Sequence, residues 1–167
     1  MIYHESNKLE SFKLHKMNET VNISLENCSD LETIDPYFDI LSKEYPKLRN
    51  WLETACYDRK CICTFNTSNE LIGLLIFTKK TKNKYNKNDE IKNNIYKIST
   101  LFVTNKYRRN KIATKMLSDF IDEYSPEEIY TTCYDVNDDM CSFLRKNRFM
   151  RIGKKENTSE SVFTKIE

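Results

Sequence analysis

The stretch "IYKISTLFVTNKYRRNKIATKML", from Ile95 to Leu117, constrains the chain more than any other. Its first half is an apolar, β-branched run with the character of a buried strand. Its second half begins a stripe of Ile112, Met116, Leu117, Phe120, Ile121 and Tyr124, spaced as one face of an amphipathic helix. A strand that enters a helix through a tight polar turn is a place where backbone N–H groups can hold a phosphate. This turn has no glycine, and its charges oppose the helix dipole. Arg108, Arg109 and Lys111 crowd the start, while Asp119, Asp122 and Glu123 lie toward the end. Each such charge costs several tenths of a kcal/mol at an exposed site, roughly, and a bound polyanion would reverse the penalty. The later stretch "NDDMCSFLRKN" behaves normally, with Asp138 and Asp139 leading and Arg145 and Lys146 trailing. An anion site is therefore expected at the start of the first helix.

The missing glycine carries little weight in this chain, because only Gly73 and Gly153 occur in 167 residues. Lys, Asn and Ile are abundant instead, a bias of the kind an AT-rich genome produces. The length suits one domain. A net charge of +2 gives no bulk reason to expect nucleic acid or a membrane surface as partner. No apolar run approaches the ~18 residues of a membrane span, and the N-terminus "MIYHESNKLESFK" lacks the pattern of a signal peptide. A cytoplasmic protein is expected. The six cysteines contain no CxxC pair, and His4 and His15 both lie near the N-terminus, so no metal site is expected. Cys61 and Cys63 are expected as buried, reduced thiols on one face of a strand.

Along the chain, residues 1–20 show no period and form an arm or extra strand, leaving 21–167 as the folded domain. "VNISLEN" (Val21 to Asn27) alternates as a strand. "DPYFDILSKEYPKLRNWLETACY" reads as two short helices broken near Pro46. "KCICTFN" and "LIGLLIFTKK" form a hairpin, and Lys79 to Lys92 is a lysine-rich, solvated loop. After the central strand and helix come the strand "EIYTTCYDV", a short helix, and the strand pair "FMRIGKK" and "SVFTKI". The order is β-αα-β-β-β-α-β-α-β-β, an α/β (α+β) chain with a mixed sheet.

With these elements placed, the chain resembles the GNAT superfamily of acyl-CoA-dependent N-acetyltransferases. One family signature is a strand ending in Val, a turn, then Gln or Arg followed by x-x-Gly-x-Gly or Ala. "LFVTNKYRRNKIAT" fits it at Arg108 and Ala113, with Lys111 in place of the middle glycine. A second signature, Asn-x-x-Ala-x-x-apolar-Tyr-x-x-x-Gly-Phe, is met at Asn137, Phe143 and Phe149. The chain departs from it at Met140, Leu144 and Arg148. The resemblance implies a mostly antiparallel central sheet flanked by helices, acetyl-CoA as co-substrate and an amine as acceptor. It implies that the backbone of Leu101, Phe102 and Val103 pairs with the pantetheine arm. The turn of Arg108, Arg109, Asn110, Lys111, Ile112, Ala113 and Thr114 would wrap the pyrophosphate. Asn137 and Phe143 would flank the pantetheine or adenine. Lys111 fits in this turn if its φ is negative.

Leu144 stands where the family often has the tyrosine that protonates the departing thiolate, and Tyr134 is the candidate substitute. No acid interrupts "NIYKISTLFVT", so no general base is visible on that strand. The acceptor class stays open between a small molecule, a protein amine and an aminoacyl group, and homodimerisation stays open too. A catalytically weak acyl-CoA-binding module of the same fold is the alternative. A nucleic-acid-binding domain using the Lys79 to Lys92 loop together with the Arg108 turn lacks, beyond Tyr85 and Tyr107, the interleaved aromatics that single-strand binding needs.

Overall fold

A computed structural model describes residues 20–25, 59–68, 70–85 and 92–165. Among these described residues, seven strands and two α-helices run in the order β1 (Thr20–Leu25), β2 (Lys60–Asn66), β3 (Leu71–Lys80), β4 (Ile95–Val103), α1 (Ile112–Tyr124), β5 (Glu128–Tyr134), α2 (Asp138–Lys146), β6 (Phe149–Lys154) and β7 (Glu160–Lys165). The strands form one sheet with spatial order β1-β2-β3-β4-β5-β7-β6. Every neighbouring pair is antiparallel except β4 and β5, which are parallel. This is the mixed, mostly antiparallel sheet expected from the sequence. The arm before residue 20 and the helices expected within 35–57 lie outside the described residues. The expected loop starts later than its charges suggest. Lys79 and Lys80 still belong to β3, paired with Tyr96 and Ile95.

The parallel pair needs a crossover, and α1 supplies it. Its stripe of Ile112, Met116, Leu117 and Phe120 is buried against the sheet. Phe120 meets the Phe77 ring at 4.7 Å and the Tyr96 ring at 5.6 Å. Burying one such side chain stabilises the fold by about 1.5–3 kcal/mol. Gly73 on β3 lets α1 approach closely, since a Cβ there would meet Met116 Cε at 3.0 Å and Ile112 Cγ2 at 3.3 Å. The helix ends at Ser125, whose N–H donates to Ile121 O at 2.9 Å from a left-handed conformation. Pro126 follows and cannot continue the turn.

The other face of the sheet is also covered at β2 and β3. Cys61, Cys63, Leu74 and Ile76 alternate with the α1-facing Ile62, Leu75 and Phe77, and all are buried. The two thiols of β2 are reduced and 4.0 Å apart. Among the described residues no three His, Cys, Asp or Glu side chains gather as a metal site requires. No helix among them is long and apolar enough to cross a membrane.

Candidate functional site

β4 and β5 lie side by side for only part of their length. Their register runs from Ile95↔Glu128 to Ile98↔Thr131 and then stops. On the other side of β4 the register to β3 shifts between Ile76↔Thr100 and Phe77↔Ile98, so Ser99 is an extra residue. A bulge bends the strand that carries it and increases its twist. β4 accordingly leaves β5 just after Ile98, and the sheet opens toward the strands' C-terminal ends. Leu101, Phe102 and Val103 border the opening on the β4 side. Tyr134 and Asn137 stand at the β5 side. Only the polar pair Ser99–Thr100 hints at this bulge in the sequence.

The chain leaves β4 through a short 3-10 turn over Asn105–Tyr107 and reaches α1 by way of Arg108 to Lys111. Several bonds fix this path. Thr104 N donates to Ile72 O at 2.9 Å, and Tyr107 N donates to Thr104 O at 2.9 Å. The Tyr107 hydroxyl is held by Asn66 Nδ2 at 2.9 Å, tying the turn to the β2–β3 hairpin. Asn110 Nδ2 donates to the carbonyls of Tyr107 and Arg108 at 3.2 and 3.3 Å.

Within the turn Arg109 has φ 65° and Lys111 φ 61°. The negative φ that was the condition for Lys111 to fit here is therefore not met, and the physical reason lies in what the turn does. Left-handed residues between right-handed or extended ones turn successive N–H groups toward one side, forming an anion-binding concavity. Lys111 is also the N-cap of α1, it makes no side-chain cap, and the first turn holds no acid. The dipole, the uncapped N-terminus and the exposed cations Arg109 and Lys111 thus act together. Thr104 Oγ1, buried at the mouth of the turn, has no hydrogen-bond partner among the described residues. These features suit a phosphate-bearing ligand.

The other expected residues take more varied places. Arg108 Nε donates to Val103 O at 2.9 Å, and its guanidinium lies 5.8 Å from the Phe102 ring centroid. It braces the strand end first, and its terminal nitrogens face an exposed surface. Ile112 is buried beneath α1, Ala113 is half-buried, and Thr114 is exposed. Asn137 caps α2, its Oδ1 accepting from Met140 N at 3.1 Å. Phe143 is half-buried against the core, and Leu144 is 3% exposed within it. Tyr134 is 56% exposed at the end of β5. It lies opposite Cys133, which packs toward α2 with its Sγ 3.7 Å from that of Cys141.

A family model described as the acetyltransferase (GNAT) family matches residues 25–149. No curated protein matches the chain. Solved structures do. A GNAT-family acetyltransferase from Staphylococcus aureus is 19% identical, with TM-score 0.60, over 88% of this chain and 98% of that one. The PaiA N-acetyltransferase from Thermoplasma acidophilum, solved in complex with coenzyme A, is 18% identical with TM-score 0.58, over 89% and 99%. A nourseothricin acetyltransferase is 12% identical with TM-score 0.51, over 65% of each chain.

Proposed function

The chain belongs to the GNAT acetyltransferase family, and from that premise we propose that it binds acetyl-CoA in the β4/β5 opening and transfers the acetyl group to a primary amine. The observation that carries this reading is the divergence of β4 from β5 at Ser99, beside a left-handed, uncapped, cationic turn. The pantetheine arm fits the opening along Leu101 to Val103, adding as a strand would. The pyrophosphate fits the turn from Arg108 to Thr114, with Lys111 and the terminal nitrogens of Arg108 as cationic contacts. Asn137 has Nδ2 to offer the arm, since Oδ1 is occupied by the α2 cap. The coenzyme A complex of the Thermoplasma relative supports the ligand class.

In the transfer the amine nitrogen bonds the thioester carbonyl carbon, the C–S bond breaks, nitrogen loses a proton and the thiolate gains one. The chain's largest contribution is positioning, which can supply several kcal/mol, roughly. A backbone N–H near Val103 is the oxyanion donor, a role open to any residue at that strand position. The Tyr134 phenol, exposed at the end of β5, is the proton donor to sulfur. The acceptor is a small molecule, a protein amine or an aminoacyl group.

The burial of Leu144 where relatives often carry a tyrosine favours a second reading, a weakly catalytic acyl-CoA-binding module. Thiol release from acetyl-CoA across a panel of amines separates the two. Amine-dependent release supports the enzyme. Tight CoA binding with no release from any amine supports the module.

A further inference from the structure

The sheet face away from α1 carries a group of side chains that the acyl-CoA reading leaves unused. Tyr96 and Ile98 pack toward α1, so Lys97 between them projects from the opposite face. By the same alternation Ile129 and Cys133 face the helices, while Tyr130 and Tyr134 share the face of Lys97. Lys97 is register-opposite Tyr130 on β5 and Thr78 on β3. It lies two residues before the bulge at Ser99, about 7 Å along the strand, at the floor of the opening.

The surroundings of Lys97 are built rather than incidental. Buried Glu128 accepts from Asn83 Nδ2 and pairs with Lys92 Nζ, at 2.6 and 3.0 Å. Asn83 Oδ1 in turn accepts from Tyr85 N at 3.1 Å, which sets the Tyr85 ring edge-on to Tyr130 at 6.2 Å. Lys84 Nζ stands 5.0 Å from the Tyr85 ring centroid. Glu160, across from Tyr134 on β7, is paired with Lys155 at 2.9 Å. Among the described residues, these acids of the face are therefore already matched. Among the described residues Lys97 is half-buried and makes no ion pair. Burial first, and then the charges of Lys155, Lys80, Lys84 and Arg59, hold its ammonium below the usual lysine range. A half-buried cation among cations is unfavourable until an anion joins it.

We propose that this face is the acceptor pocket and that Lys97, beside Tyr130, selects a small primary amine that carries its own carboxylate or phosphate. The inference rests on the acyl-transfer reading, because the amine must reach the thioester through the β4/β5 opening. The anion of the acceptor docks on Lys97, its chain lies along the Tyr130–Tyr134 track, and its amine points toward the bulge. An anion there also raises the affinity of Lys97 for its proton, against the burial and neighbouring cations that lower it.

The test uses the CoA-saturated protein, so that the phosphate turn is filled before any acceptor is added. Calorimetric titrations compare O-phosphoethanolamine with ethanolamine, and β-alanine with β-alanine amide. Acetylation kcat/KM is then measured for the same pairs. The anionic member of each pair is expected to be preferred by at least about tenfold. The larger of the two preferences identifies phosphate or carboxylate as the preferred group. Lys97→Met erases the preference with CoA affinity unchanged, and Lys97→Arg keeps most of it. Equal or weaker binding of the anionic members by the wild-type protein overturns the proposal without any variant. So does a folded Lys97→Met protein that still discriminates. Failure of the wild-type protein to bind CoA would instead remove the acyl-transfer reading beneath it.

Discussion

Lys111 and Arg148 stand where the two GNAT signatures carry glycine, and both hold glycine's left-handed conformation, with φ 61° and 63°. Among the described residues all five positive-φ positions are non-glycine, and neither glycine is used for that purpose. Gly73 serves close packing instead. The sequence showed that glycine was scarce. It did not show that the backbone kept the conformation at a cost, because φ is not written in residue type alone. Lys111→Gly and Arg148→Gly should each raise stability by about 1 kcal/mol, read from urea midpoints. Lys111→Gly should also weaken CoA by removing a cation, whereas Arg148→Gly should leave CoA affinity alone. Lower stability in both variants would show that the strain is not there. Tyr134→Phe should lower kcat on the order of tenfold or more with CoA affinity intact, because only a hydroxyl is lost. Full turnover would dismiss Tyr134 as the acid. Cys133 offers a pH test. Burial first, and then its hydrogen bond with Cys141, push its thiol up to about 12. The folded state thus keeps a proton that the unfolded chain releases near pH ~8.5. That stability is fully present below this pH and is lost as pH rises toward the folded value. Native Cys133 should resist iodoacetamide at about pH 8 and react only on unfolding. Rapid labelling of the folded protein would contradict the burial.

The strand–turn–helix from β4 to α1 was legible because its apolar periodicity changes from a buried run to a helical stripe within one segment. α2 was legible for a different reason. Its charges follow the dipole, and Asn137 supplies a cap that the structure shows in use. The bulge at Ser99 and the partial pairing of β4 with β5 were not legible, since register depends on partners distant in sequence. Arg108 was expected on the phosphate, and its Nε also braces Val103 O. That bond links turn and strand, so on the proposed reading the phosphate turn and the opening are mechanically coupled. The contact of α1 with β3 tests this coupling. Gly73→Val places methyl groups against Met116 and Ile112 at distances already within 3.0–3.3 Å of a Cβ. It should cost about 1–3 kcal/mol of stability. By displacing the α1 N-terminus it should also weaken CoA several-fold, where a destabilised but unshifted helix would leave affinity unchanged. Calorimetry and urea denaturation on the same sample decide between these outcomes.

At the scale of the whole molecule, one parallel pair among the described strands of an otherwise antiparallel sheet creates the opening. α1 crosses between β4 and β5, and its N-terminus therefore lies at the end of β4, beside the place where the two strands part. The side of the sheet facing α1 supplies the packing, and the opposite side supplies the tyrosines and Lys97 next to the opening. Element order made this fold class legible in advance. The acceptor was not legible, because the pocket proposed for it is built from side chains of β4, β5 and the 81–85 turn that meet only in three dimensions. The central claim is that the opening and its turn hold an acyl-CoA. Titration calorimetry with CoA and desulfo-CoA tests it most directly, since neither ligand requires turnover or a known acceptor. The account predicts dissociation constants on the order of micromolar for both, because the phosphates carry most of the recognition. Arg108→Glu should weaken both by at least about tenfold, and Lys84→Glu, on the far face, should weaken neither. Absence of heat and of any shift in Tm at millimolar CoA would contradict the account.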